Sequence, residues 1–128
     1  MNYTTLNIGG KERGAKLGLG FIQSVLENEK ISINDFFAKV ESEAFTFLPK
    51  LLYYSLKYNE ERAQRKVDFN LDDVLDWLDE TGINSEEFTD FQIAFFSSLK
   101  VHLPEENRKI IDSSVKQLQG KKKPQKRG

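Results

Sequence analysis

Leu48, Leu52 and Leu56 recur at the spacing of one helix face, and Phe47, Leu51, Tyr54 and Tyr58 form a second stripe on the same segment. A helix with two apolar stripes must be covered from more than one side. That requirement limits the architecture more than any other feature of the chain. The segment reads as a central core helix with the remainder packed around it. The alternative leaves one stripe for a partner molecule and makes Phe47, Leu51, Tyr54 and Tyr58 candidate protein-binding residues. Pro49 fits the first turn of this helix, or kinks a longer one.

The elements around it follow from turn residues and periodicity. Tyr3 to Ile8 alternates, with Thr4, Leu6 and Ile8 on one side. Gly9-Gly10 supplies the positive φ of a tight hairpin turn, and Lys11 to Leu17 reads as the return strand, with Gly14 marking a bulge. A two-stranded hairpin is marginal alone, so it must lie on the helices. Phe21 to Asn28 reads as a helix, and a second is capped by Ser32 or Asn34 with Phe36, Phe37 and Val40 inward. Phe36 and Phe37 are adjacent and point to different sides, so both are candidates for contact with a partner. Asn70 caps a helix with Leu71, Val74, Leu75 and Leu78 on one side, flanked by Trp77 and stopped by Gly82. Asn84 or Ser85 caps another, striped by Phe88, Phe91, Phe95 and Leu99. Pro104 opens a last amphipathic segment through Ile110, Ile111, Val115 and Leu118 that Gly120 ends. The expected fold is mainly α (α+β): a hairpin at 3–17, then a bundle of about five helices within one domain at 1–119, and a disordered, flexible basic tail at 120–128.

Charge is unevenly distributed. From Val67 to Leu99 there is no Lys or Arg but there are nine acids, whereas Lys121, Lys122, Lys123, Lys126 and Arg127 crowd a tail with no acid. The whole chain has 19 bases and 20 acids; without the tail's five bases it has 14 against 20. An acidic body of this kind suits protein partners better than nucleic acid. The face around Asp72, Asp76 and Asp79 is a candidate for meeting basic patches of a neighbouring subunit. The tail binds phosphate only without reading sequence, and it has no interleaved aromatic to stack on bases.

Little in the sequence points to chemistry. With no cysteine, disulfides, thiolate nucleophiles and Cys-based zinc sites are excluded. His102 is the only histidine and has no partner of the kind a triad or a metal site requires. Gly9 and Gly14 have the spacing of a phosphate loop, but Ala15 stands where that loop needs Lys. Asp72, Asp73, Asp76, Asp79 and Glu80 fall between apolar residues of a helix, on its solvent face, rather than around a calcium-loop glycine. The expectation is a protein that is not an enzyme, with no catalytic residue, metal or cofactor. The opening residues have no basic n-region or apolar h-region, and no apolar run approaches the roughly 20 residues of a membrane span. A soluble intracellular protein is expected.

Three segments together resemble the tail assembly chaperones of long-tailed bacteriophages and prophages. They are Asn7-Ile8-Gly9-Gly10-Lys11-Glu12 with Leu17-Gly18-Leu19-Gly20-Phe21-Ile22, the apolar helix from Leu48 to Tyr58, and Phe69-Asn70-Leu71-Asp72-Asp73-Val74-Leu75-Asp76-Trp77-Leu78-Asp79. The likeness covers roughly residues 3 to 100. It implies a protein of the bacterial host cytoplasm, absent from the mature virion. Such a protein holds the tape measure protein, brings tail tube protein to it, and assembles with itself into an open spiral. It also implies two forms, the longer made by ribosomal frameshifting. Gly120-Lys121-Lys122-Lys123 is compatible with an A-rich slippery run and equally with an ordinary basic tail. Three rivals stand beside this reading: a small helical regulator or adaptor that contacts nucleic acid through the tail, an enzyme, and an unrelated helical adaptor of cellular origin.

Overall fold

The computed structural model describes residues 2–122; the basic tail falls outside it except for the backbone of residues 121–122. The chain opens with an antiparallel hairpin, β1 (Tyr3–Ile8) and β2 (Lys11–Lys16). Its two-residue turn places Gly9 at φ 65° and Gly10 at φ 84°, which only glycine adopts cheaply in succession. Pairing runs without interruption from Tyr3↔Lys16 to Ile8↔Lys11, so the bulge expected at Gly14 is absent. Gly14 serves a close approach instead. The Tyr3 hydroxyl and the Asn59 amide occupy the space a Cβ would take.

Among the described residues six helices follow, in keeping with the expected bundle of about five: α1 (Leu19–Glu29), α2 (Ile33–Ser42), α3 (Ala44–Arg62), α4 (Leu71–Thr81), α5 (Glu86–Lys100) and α6 (Glu105–Lys122). Their starts are chemically defined. Ser32 and Asn70 each form a reciprocal capping box, with Asp35 and Asp73 respectively. The Ser85 hydroxyl accepts from the Phe88 amide at 3.2 Å. Of the alternatives open in the sequence, Ser32 and Ser85 are thus the caps. α3 starts five residues before Pro49, so the proline sits inside the longer helix. Its missing N–H leaves the Phe45 carbonyl without an i+4 donor, next to the most exposed large apolar side chain of the fold.

Both stripes of α3 turn inward. Leu48, Leu52 and Leu56 are buried on one, Phe47 and Leu51 on the other, and the hairpin, α1, α2 and α4 pack around this helix. Phe95 of α5 is the aromatic hub, in edge contact with Phe21 and Phe36 at 6.3 Å each and stacked with Phe91. Each such buried ring contributes about 1.5–3 kcal/mol relative to exposure. The hairpin lays Leu6, Ile8 and Ala15 onto this core, β1 against α5 and β2 against α3.

Two apolar positions and one glycine depart from their expected places. Leu75 is 38% exposed, because Trp77 rather than Leu75 turns toward the hairpin, where its ring lies under Gly9. Ile110 is 54% exposed, while Ile111 and Leu118 are the buried residues of α6. Gly120 does not end α6; the helix passes through it to Lys122, beyond the expected domain limit at 119. Among the described residues no helix is long and apolar enough to cross a membrane.

Candidate functional site

α5 and α6 form an antiparallel pair across the turn at 101–104, pinned by Lys100 Nζ to Asp112 Oδ1 at 2.7 Å and by Arg108 Nε donating to the Leu103 carbonyl at 3.0 Å. On the side of α6 facing α2, the packing does not close. A cleft of about 490 Å³ lies there, open to solvent. Its floor is Phe96, Leu99 and Leu103; one wall is Phe37, Val40 and Leu48 of α2 and α3. The other wall is α6, whose Asn107, Ser114 and Gln117 give it an amide and hydroxyl rim. Glu41 is the one ionisable side chain in the lining. Among the described residues the lining is therefore mainly apolar, with a single carboxylate. Two further apolar groups stand near it. Ile110 is at the rim, and Phe45, 75% exposed, follows the lining residue Ala44.

The candidate residues are distributed over separate places. Phe37 lines the cleft; Phe36 beneath it is fully buried and meets Phe37 and Phe47 edge-on at 5.6 and 5.7 Å. Phe47 and Leu51 are core residues and present no surface. Tyr54 is half-buried and donates to Glu29 Oε2 at 2.5 Å, while Lys50 donates to the other oxygen at 3.2 Å. Burial raises the Glu29 carboxyl, but the hydrogen bonds from Tyr54 and Lys50 outweigh it and hold the group below the usual carboxylate range. Burial and the bond to Glu29 push the Tyr54 phenol well up. These groups tie α1 to α3. Tyr58 is half-buried with its hydroxyl against Gly20, and it accepts from Arg62 at 3.2 Å. Asp72, Asp76 and Asp79 are exposed on α4, which contributes nothing to the cleft.

A second, polar cleft of about 640 Å³ lies between β2 and the end of α3. Three of its charged side chains are engaged in place. Arg65 makes a bidentate pair with Glu60 at 2.9 and 3.0 Å and holds that carboxyl below its usual range. Arg13 is spent on structure: its guanidinium lies 4.2 Å from the Trp77 ring centroid, and it donates to the Ile8 and Gly9 carbonyls at 2.8 and 3.1 Å. His102 is exposed in the α5–α6 turn. Among the described residues no three His, Asp or Glu side chains converge to hold a metal ion. Lys123, Lys126 and Arg127 lie outside the described residues, as do the side chains of Lys121 and Lys122.

Phe45 and the cleft escaped the sequence reading. Phe45 precedes Pro49, which fits either the first turn of the helix or a kink in a longer one, so the sequence leaves open whether Phe45 is helical at all. It sits two residues before Phe47, about 200° round the helix, and that angle alone points it away from the core. The cleft combines α2, α3, α5 and α6, whose contributions are up to 80 residues apart and share no local pattern. Comparison with protein-family models, curated proteins and solved structures finds no match to this chain.

Proposed function

We propose that this chain is a non-catalytic tail assembly chaperone, of the kind long-tailed bacteriophages use, which coats the tape measure protein stoichiometrically and recruits tail tube protein to it. It would act in the host cytoplasm, work as a homo-oligomer and be left out of the finished particle. The observation that carries this reading is the open apolar cleft between α2 and α6, with Phe45 and Ile110 exposed close by. A long helical guest presents an apolar stripe that aggregates in water. A groove floored by Phe96, Leu99 and Leu103 accepts such a stripe side chain by side chain, as helix-in-groove recognition does. Each contact is weak, and repetition along an assembly supplies avidity that tube protein can still displace. The resemblance over residues 3–100 is the reason for naming this guest, and the partly open cleft supports the reading.

Co-expression with the very long helical protein encoded beside this gene tests the reading. The soluble yield of that protein should rise several-fold with this chain present. Phe45→Ser combined with Ile110→Ser should return it toward the baseline while leaving the chaperone folded, since both side chains are exposed. An unchanged yield with the unaltered chain overturns the proposal, as does a gene neighbourhood without tail genes.

A further inference from the structure

We propose that α6 is a hinged lid on the apolar cleft, closed onto α5 in this structure and swung out about residues 101–104 to admit a helical guest. The inference rests on the cleft being the guest site. It comes from how unequally the walls are held. The α2–α3 wall belongs to the core: Leu48 is buried, and Phe36 directly beneath Phe37 is packed against Phe47 and Phe95. The α6 wall has no such backing. Among the described residues, α5 is the element that packs broadly against α6, and Ile111 and Leu118 are the only α6 side chains buried. The remaining ties are between exposed groups, Lys100 with Asp112, or local to the turn, Arg108 with Leu103.

The turn has the properties of a hinge. Val101 and His102 are exposed, so a swing has only the buried Leu103 and two backbone bonds of the turn to work against, from the His102 N–H to the Leu99 carbonyl at 2.9 Å and from the Leu103 N–H to the Lys100 carbonyl at 3.2 Å. Pro104 brings no N–H and ends α5's reach into α6. Ile111 and Leu118 lie seven residues apart, two turns on one face, so one rigid rotation withdraws both together. The cleft is already partly open, but Phe96, Leu99 and Leu103 at its floor are almost wholly buried; opening widens the mouth and exposes them, and α6 itself carries Ile110, Ile111, Val115 and Leu118 to fold back over whatever occupies it. The lid thus hides an aggregation-prone surface until a guest replaces its contacts.

The absence of native cysteine allows a clean test in the full chain. Lys100→Cys with Asp112→Cys, bridged by a short bifunctional methanethiosulfonate linker, fastens α6 to α5, and dithiothreitol releases it. Nile red reports access to the apolar floor. Its bound fluorescence should be at least threefold lower in the bridged protein than after release. In the unaltered chain, amide hydrogens of residues 105–120 should exchange at least tenfold faster than those of 88–100. Equal dye binding in the two states, or equal exchange protection in α5 and α6, overturns the lid. The guest protein forms a separate arm. If the bridged and released forms keep it soluble equally well, the lid is wrong and the chaperone reading stands. If dye binding follows the bridge but neither form keeps the guest soluble, the lid stands and the chaperone reading falls.

Discussion

Single side chains in this fold carry more than their sequence context shows. Tyr54 reads in the sequence as one member of a stripe, with burial and partner contact both open to it. In the fold its ring is half-buried, and its hydroxyl ties α3 to the Glu29 carboxylate at the end of α1. The folded-state carboxyl is depressed, so its stabilising effect is complete above the ordinary carboxylate pKa and is lost as pH falls through the lower folded value. Tyr54→Phe should therefore cost about 1–2 kcal/mol near neutrality. Urea titrations should show the two proteins converging as the pH is lowered below the carboxylate range. Persistence of the full gap in acid would count against the charge-assisted bond. The glycine pair in the hairpin gives a sharper contrast. Both have positive φ, but a Cβ on Gly9 would fall within 2.5 Å of Trp77 Cε2, whereas Gly10 faces open space. Gly10→Ala should cost about 1 kcal/mol in backbone strain, and Gly9→Ala about 2–3 kcal/mol through strain plus overpacking. Equal melting temperatures for the two variants would contradict this geometry. The sequence shows a turn here, and nothing in it shows that Trp77, nearly seventy positions away, sits beneath it.

Elements were legible wherever a period and a cap coincided. The Phe88, Phe91, Phe95 and Leu99 stripe behind Ser85 is α5 as read, and all four side chains are buried. Asn70 was the expected cap of α4, and its side chain accepts from the Asp73 amide at 2.9 Å. Asn70→Ala should lower stability by about 1 kcal/mol, measurable by urea unfolding, with Asn70→Ser close to neutral. A loss confined to neither variant would mean that tertiary contacts alone hold that end of α4. Where the reading failed, two apolar residues sat on adjoining angles of one helix. Ile110 and Ile111 are 100° apart, as α6 has a narrow buried seam, only one of them enters it. Leu75 is a different case: Trp77, about 200° round the helix from it, is the residue that packs, with Arg13 stacked above it. Such choices are made by the opposing surface, and the helix's own sequence contains no record of it.

At the scale of the molecule, charge is segregated by position in the chain. The stretch 67–99 that lacks any Lys or Arg builds α4 and most of α5, while Lys11 and Lys16 of β2 and Arg62, Arg65 and Lys66 at the end of α3 gather near the polar cleft. A basic region of one copy meeting the acidic α4 of another would pair head to tail, and would generate an open assembly if the rotation does not close. Asp76→Lys with Asp79→Lys should reduce the sedimentation-derived oligomer mass at low salt, and the difference should vanish near 1 M salt, where the screening length is about 3 Å. Asp72 is better left in place, since it lies in the first turn of α4 and favours the helix dipole. Unchanged mass at low salt would remove this face from the contact. The sequence showed the acidic stretch but not its distance from the apolar cleft, because which helices end up adjacent is decided by the core around α3. The placement of β1 against α5 has a further effect, on the order in which the molecule can be completed. The hairpin leaves the ribosome well before α5, and the surface it covers is not finished until Lys100 has been added. At roughly 5–20 residues per second, Leu6 and Ile8 wait several seconds in water for their partner. A nascent chain stalled before α5 would keep its first strands accessible to protease, and release would come only once that helix had cleared the exit tunnel.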